Sequence, residues 1–405
     1  MTVRRYALVA GGGTAGHLQP ALAIAEALVD RGHPGATIEF VGSSRGQDRA
    51  VLEGRGFPFT LLPGRGIVRS LSPADLVRNL GALVGLTVGC LRALALVWRA
   101  RPAVVVSVGG YASLPASLSA VVLGVPLVLV NVDAVPGAAN RLLGPFARSS
   151  AVGWEGTPLP RAVVTGTPVR PEIAGVTRSP DDRRSARSAL GLPPDRLTIA
   201  AFGGSLGARR INQAIASLAD LWSELGDRTI YHVVGRRDWD ESVEGDGTGR
   251  LAGEPAGLHY RRVAYEDRMP LVYAAADIVV CRAGAMTVAE LAVVGVPAIL
   301  VPLPGAPSDN QSANARVLER VGAAVLMPDP GCDGHRLSRV LAPLLGDPAR
   351  LEAMGKAAHA LGRADAAQAG AAVVEASARA SRIPGDPGGT ETATPGDPGG
   401  TEAAS

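Results

Sequence analysis

Glu290, Asn310 and Gln311 are the residues whose types and spacing first suggest chemistry. Glu290 sits inside a helix that follows the apolar strand Asp277–Cys281 and the turn Arg282-Ala283-Gly284-Ala285. Asp309-Asn310-Gln311 opens a second helix that includes Asn314, after the strand Ala298–Val301. Two strand ends and two helix starts thus deliver a carboxylate and paired amides to one edge of a parallel sheet, where open α/β folds bind ligands. Such groups suit a ligand rich in hydroxyls, because each can bridge neighbouring OH groups. His17 stands where a glycine loop enters a helix; its imidazole titrates near neutrality, so it is a candidate base as well as a helix-start polar residue. Asp133, at the end of the strand Pro126–Val130, is a second candidate base, or a turn cap. Asp238-Trp239-Asp240 has the form of a metal-holding aspartate pair, but it lies in a charged loop and is read as a chance match.

These residues need a frame, and the chain repeats one. Strand Tyr6–Ala10 leads through Gly11-Gly12-Gly13-Thr14-Ala15-Gly16-His17 into a helix over Pro20–Arg31. Strand Ala103–Val108 leads through Gly109-Gly110-Tyr111 into a helix over Pro115–Leu123, and strand Leu197–Phe202 through Gly203–Arg209 into another. A glycine loop between strand and helix lets backbone N–H groups approach a diphosphate. Gly11, Gly13 and Gly16 satisfy G-x-G-x-x-G, yet the next strand, Thr37–Val41, ends in Gly42-Ser43-Ser44 without an acidic residue for a ribose diol, which disfavours a dinucleotide. Because both halves open the same way, the fold expected is α/β, with two Rossmann-like, doubly wound parallel-sheet domains facing a cleft. The expected boundaries are 1–165, 166–345, helices over 346–381 that pack back toward the first domain, and a tail over 382–405. In that tail Pro-Gly-Asp-Pro-Gly-Gly-Thr-Glu occurs twice with almost nothing apolar to bury, so disorder is expected.

Composition narrows the partners. The chain has 405 residues, long enough for two domains, and 47% are hydrophobic but only 4% aromatic, so its cores are aliphatic. Forty basic residues nearly balance 37 acidic ones, which gives no argument for nucleic acid. Cys90, Cys281 and Cys332 lie too far apart for a zinc site or disulfide framework, and Met1–Arg5 leads straight into a strand with no signal peptide; both fit a cytoplasmic protein. Between Leu76 and Trp98 apolar residues recur with little charge, flanked by Arg78, Arg92, Arg99 and Arg101. The run over Asn79–Leu91 is too short and glycine-broken to span a bilayer. It reads either as one or two buried helices or as an exposed patch whose arginines touch anionic lipid headgroups.

Five motifs together resemble one family. Gly11-Gly-Gly-Thr-Ala-Gly-His17, Gly109-Gly-Tyr111, Thr165-Gly-Thr-Pro-Val-Arg170, Gly203-Gly-Ser205-Leu-Gly-Ala-Arg209 and Cys281-Arg-Ala-Gly-Ala-Met-Thr-Val-Ala-Glu290 look like the MurG family of peptidoglycan synthesis. The resemblance runs unbroken over about residues 5–375. It implies a GT-B, family 28, inverting and metal-independent transferase without a cofactor. Its donor would be UDP-N-acetylglucosamine and its acceptor the lipid-linked N-acetylmuramoyl-pentapeptide. The expected place is the cytoplasmic face of the cell membrane, peripherally bound, in contact with anionic headgroups and the cell-wall synthesis machinery.

Carried over by position, the resemblance puts the donor in the C-terminal domain. Arg170 and Tyr265 would lie by the uracil, and Glu290 would take the ribose hydroxyls on two free oxygens. Ser205, with Ala285, Met286 and Thr287, would hold the diphosphate, and Asn310 and Gln311 would read the sugar. Thr14, Ala15, Gly16, His17 and Asn131 would complete the donor's surroundings. The acceptor would meet Gly13, Thr14, Gly109, Gly110, Tyr111 and Asp133, with His17 and Asp133 the candidate bases. The chain departs from the family where Val130-Asn131-Val132-Asp133 replaces a His-Glu-x-Asn run, and where Asn310 replaces glutamine or histidine. Alternatives are a divergent GT-B enzyme acting on another lipid or natural product, a UDP-N-acetylglucosamine epimerase on the same fold, or a weakly catalytic scaffold of the envelope machinery.

Overall fold

The computed structural model describes residues 4–12, 15–44, 48–63, 73–204, 207–239 and 257–379. Gly13, Thr14, Ser205, Asp240, most of the polar loop over 235–254 and the tail over 382–405 lie outside the described residues.

The first half comprises β1 (Ala7–Ala10), α1 (Ala15–Asp30), β2 (Ile38–Ser43), α2 (Asp48–Leu52), β3 (Phe59–Leu62) and α3 (Pro73–Ala100). It continues with β4 (Val104–Ser107), α4 (Leu114–Val122), β5 (Leu127–Asn131), α5 (Ala138–Leu143), β6 (Ser149–Val152) and β7 (Ala162–Val164). These strands form a seven-stranded sheet in the order β3-β2-β1-β4-β5-β6-β7, with every pairing parallel. The short helices α6 (Pro171–Ala174) and α7 (Pro180–Ala189) follow. The second half comprises β8 (Leu197–Phe202), α8 (Arg209–Leu221), β9 (Arg228–Val233), β10 (His259–Val263), α9 (Met269–Ala275), β11 (Ile278–Cys281) and α10 (Ala285–Val294). After these come β12 (Ala298–Leu300), α11 (Asn310–Arg320), β13 (Ala324–Leu326), α12 (Gly334–Leu345), α13 (Pro348–Leu361) and α14 (Ala366–Arg379). Its six strands run parallel in the order β10-β9-β8-β11-β12-β13.

Near-continuous runs such as Val104-Val105-Val106 and Ile278-Val279-Val280 are buried on both faces, as parallel strands covered by helices must be. Three strands were not anticipated. Phe59–Leu62 and Ala162–Val164 are short edge strands that are not fully buried, and Ser149–Val152 opens on two serines, so none carries a buried apolar run. The segment rich in glycine near Leu86 forms one 28-residue helix, α3. Gly89 serves close approach there, since a Cβ on it would come within 2.9 Å of the Pro63 carbonyl. α13 and α14 part at Gly362, whose missing Cβ makes room for the backbone of Ala292 and Val293.

The chain crosses between the sheets at Thr165–Thr167 and returns through residues 362–365. α14 then packs on α1, where Glu375 accepts hydrogen bonds from Arg31 at 2.8 Å and pairs with His33 at 3.0 Å. A second anchor holds the other sheet. Asp277, just before β11, accepts from Arg183 at 2.6 Å, Arg187 at 2.8 Å and the Thr198 amide at 2.7 Å. Arg178 beside them donates to the carbonyls of Tyr273 and Ala276, and burial pulls its pKa down to about 9.

Candidate active site

Strand order predicts where the ligands go. In the first sheet the order reverses between β1 and β4, and in the second between β8 and β11, so crevices open beyond those strand ends. The first crevice is made by the loop after β1, the α1 start and the Gly109–Tyr111 turn. The second is made by Gly203, Gly204, Gly207 and Ala208 after β8 and by the start of α10.

At the second crevice, Gly284 is extended and caps α10 without a side-chain bond, leaving the first-turn N–H groups of Ala285, Met286 and Thr287 free of side-chain caps and open to an anion. One turn further, Glu290 is buried, and Tyr273 donates its hydroxyl hydrogen to Glu290 Oε2 at 2.7 Å. The carboxylate therefore has one occupied oxygen, where the sequence suggested two free ones. Its Oε1 faces Arg170 at 3.9 Å. Burial raises the pKa of Glu290, while the Tyr273 hydroxyl and Arg170 work against that rise. Tyr265 is exposed and stacks beneath the Arg236 guanidinium at 4.3 Å, forming a flat platform at the rim. Asn212 in α8 holds the end of β9: it donates to the Val234 carbonyl at 2.9 Å and meets the buried His232 at 3.0 Å. Asp238 is held by Arg237 at 3.0 Å and lies against Gly207, where a Cβ would come within 3.2 Å of its carboxylate. Among the described residues no group of three or more His, Cys, Asp or Glu side chains is placed to hold a metal ion.

At the first crevice, His17 lies against Gly110. A Cβ on Gly110 would fall 2.7 Å from the imidazole Cδ2, and its φ of 77° also demands glycine. The imidazole makes no hydrogen bond among the described residues. Burial lowers its pKa, and the carboxylates of Asp133 and Asp48 only partly offset that. The ring is thus neutral at neutral pH, which is the form that can accept a proton. Tyr111 joins this loop to β2 through Ser43, hydroxyl to hydroxyl at 3.1 Å.

The altered run after β5 bridges the two halves. Asp133 Oδ1 accepts from Asn314 at 2.8 Å and Asn310 at 3.1 Å, while the Ala134 amide donates to Asn314 Oδ1 at 2.8 Å. Asn131 braces this turn from behind, donating to the Asp133 carbonyl at 2.6 Å and accepting from Asn140 at 3.1 Å. Gln311 braces its own loop by accepting from the Leu303 amide at 2.9 Å. Ser308 and Asp309 both take positive φ, which is uncommon outside glycine and sets the entry to α11. A cavity of about 870 Å³ lies between these parts, lined by His17, Tyr111, Asp133 and Asn140 from one half and by Ser308 and Asn310 from the other. The Oδ1 atoms of Asn140 and Asn310 are buried there without a partner among the described residues. A buried acceptor left so is open to a ligand hydroxyl or amide.

Two family models cover most of the chain: the glycosyltransferase family 28 N-terminal domain over residues 7–152 and the glycosyltransferase family 28 C-terminal domain over residues 198–369. A UDP-N-acetylglucosamine--N-acetylmuramyl-(pentapeptide) pyrophosphoryl-undecaprenol N-acetylglucosamine transferase from Acidothermus cellulolyticus is 40% identical, over 93% of this chain and 99% of that protein. One of the same name from Desulforudis audaxviator is 39% identical, over 88% and 94%. The chain belongs to the MurG family of glycosyltransferases. Among solved structures, MurG of Acinetobacter baumannii superposes with a TM-score of 0.71 at 26% identity, covering 92% of this chain and 99% of that one. The two parallel-sheet halves are therefore those of a GT-B glycosyltransferase.

Within the MurG frame, Arg170, Ala285–Thr287 and Glu290 gather at the start of α10, while Tyr265 stands apart, stacked with Arg236. His17, Gly109, Gly110, Tyr111, Asn131 and Asp133 gather at the first, and Asn310 meets Asp133 between them. Gly16 lies in the first turn of α1 beside His17. Three residues at the site were not singled out from the sequence: Tyr273, Asn140 and Asp48. Asn140 could have been sought as the Gly137-x-x-Asn140 step after a strand, but Tyr273 and Asp48 reach the site only through tertiary packing.

Proposed function

We propose that the chain transfers N-acetylglucosamine from its UDP donor to N-acetylmuramyl-(pentapeptide) pyrophosphoryl-undecaprenol by one displacement at the anomeric carbon. The observation that supports this is the shared cavity, lined by His17 from one half and by Asn310 from the other, where burial lowers the His17 pKa and Asn310 would read the sugar. An acceptor sugar hydroxyl attacks the anomeric carbon and gives its proton to the imidazole. The bond from that carbon to the β-phosphate oxygen breaks, and UDP leaves with the electron pair. Its added charge falls on the first-turn amides of α10 and on the glycines that follow β8, in line with anion binding at helix starts and without need of a metal. Asp133, fixed by two amides, stabilises the imidazolium that forms.

The acceptor's lipid suits the outer face of the first domain. Leu91 and Trp98 of α3, Val122 of α4, and Leu142 and Phe146 are all well exposed, interspersed with exposed Arg92, Arg99, Arg141 and Arg148. Leu86 of α3 and Leu114 and Pro115 of α4 line the cavity itself, so the apolar face runs to its mouth. No described helix is long and apolar enough to cross a membrane. This arrangement supports peripheral docking on anionic headgroups, and the MurG reading puts that docking at the cytoplasmic face. Leu91→Asp with Trp98→Asp is expected to weaken sedimentation with phosphatidylglycerol vesicles by roughly tenfold or more, since each side chain buries on the order of 1.5–3 kcal/mol of apolar surface. Turnover of a short-chain, water-soluble acceptor should stay near wild type.

Release of UDP, followed with excess chelator, tests the reading. It should require the lipid-linked acceptor and be indifferent to the chelator. Consumption of the donor without acceptor, yielding an epimer, would refute it.

A further inference from the structure

Tyr273 has no role in the proposed chemistry, yet it is 1% exposed, and its hydroxyl reaches the Glu290 carboxylate at the second crevice. α9 carries it under the sheet, where its ring packs edge-on against Phe202 with centroids 6.0 Å apart. Phe202 ends β8, immediately before the Gly203 loop. The residue thus joins the support of that loop to Glu290. A glutamate carboxylate turns about its last torsion in a broad, shallow well, so burial alone does not orient it. The Tyr273 bond at 2.7 Å to Oε2 does. The other contact, 3.9 Å from Arg170 to Oε1, is too long for a hydrogen bond and leaves that oxygen available.

We propose that Tyr273 is the positioning residue of the ribose site, its hydroxyl turning Glu290 so that Oε1 alone receives the ribose hydroxyls. The proposal rests on the reading of Glu290 as the ribose acceptor. Burial and the adjacent carboxylate raise the Tyr273 pKa well above its ordinary value, so the hydroxyl stays protonated and can only donate toward Oε2. The same bond helps keep Glu290 ionised against its burial. A protonated glutamate has one acceptor oxygen fewer for the diol.

Tyr273→Phe tests this with Glu290→Gln as comparator, using UDP-N-acetylglucosamine and its 2′-deoxy and 3′-deoxy ribose analogues. For Tyr273→Phe the donor KM should rise about 3- to 10-fold, less than the full worth of a hydrogen bond to a charged group because this bond acts through Glu290 and not on the donor, with kcat within about twofold. Preference for the intact ribose should shrink by a similar factor. The pH at which the donor KM begins to rise on acidification should move upward, because Glu290 loses the bond that favours its ionised form. If Glu290→Gln loses ribose preference while Tyr273→Phe keeps all of it and its pH limb, the inference is overturned and the donor reading stands. If Glu290→Gln also keeps full preference, the donor reading fails and takes the inference with it. Should Tyr273→Phe not fold, 3-fluorotyrosine placed at this position keeps the packing and donates more strongly. The KM limb should then move to lower pH, and an unmoved limb would overturn the inference.

Discussion

Alanine in place of His17 is expected to lower kcat by about 10²- to 10⁴-fold, the usual worth of a general base, with the donor KM changed only severalfold. The imidazole lies in the shared cavity, unengaged by any described residue, and burial keeps it neutral. Acidity supplies a second readout. Because burial lowers the His17 pKa, protonation removes the base only at pH values under the ordinary histidine pKa of about 6.5. The acidic limb of kcat, taken at saturating donor so that Glu290's effect on the donor KM drops out, should therefore lie below 6.5 and vanish in His17→Ala. Steady-state rates across pH with a short-chain acceptor would show this. A limb above 7, or near-normal turnover in His17→Ala, would remove His17 from the role. Asp133 is the less suited candidate, since two amides from the opposite half already occupy its Oδ1.

The second large effect concerns stability. Asp277→Ala should destabilise the second half by about 3–5 kcal/mol, the typical cost of breaking a buried ion pair from one side. Arg187 is 7% exposed and would lose the one carboxylate among the described residues at hydrogen-bond distance, Arg183 would lose its bond to the same carboxylate, and the Thr198 amide would lose its acceptor. α7 is held to α9 and β11 through these bonds, so urea unfolding of the variant should begin at lower denaturant. Leucine at this position would not rescue it, because the cations and the amide would remain unpaired. A midpoint unchanged from wild type would show that Asp277 is not the anchor described.

Much of this was legible in the sequence because the same local grammar occurs in both halves. A buried strand, a glycine loop and a helix start can be read within about 25 residues, and β1, β8 and β11 were found this way. His17, Glu290 and the α10 start were legible for the same reason, being fixed by spacing from a glycine. Strands β3, β6 and β7 were missed because β3 and β7 are incompletely buried edge strands and β6 opens on two serines, so none shows the apolar run of β1 or β11. The engagement of Glu290 by Tyr273, and of Asp133 by Asn310 and Asn314, links residues brought together by folding, 177 positions apart for Asp133 and Asn310. No local pattern encodes such pairings. The apolar arginine-flanked segment left two readings open, and the fold satisfies parts of both. Ala93 and Val97 of α3 are buried while Leu91 and Trp98 face outward.

The central claim is single displacement onto the lipid-linked muramoyl sugar, and the anomeric configuration of the product tests it most directly. Purified protein would be given UDP-N-acetylglucosamine carrying ¹³C at the anomeric carbon, a short-chain lipid I analogue and chelator, and the product read by its anomeric NMR coupling. The account predicts a β-linked disaccharide from the α-configured donor. An α-linkage, or a free 2-epimer with the acceptor untouched, would contradict it.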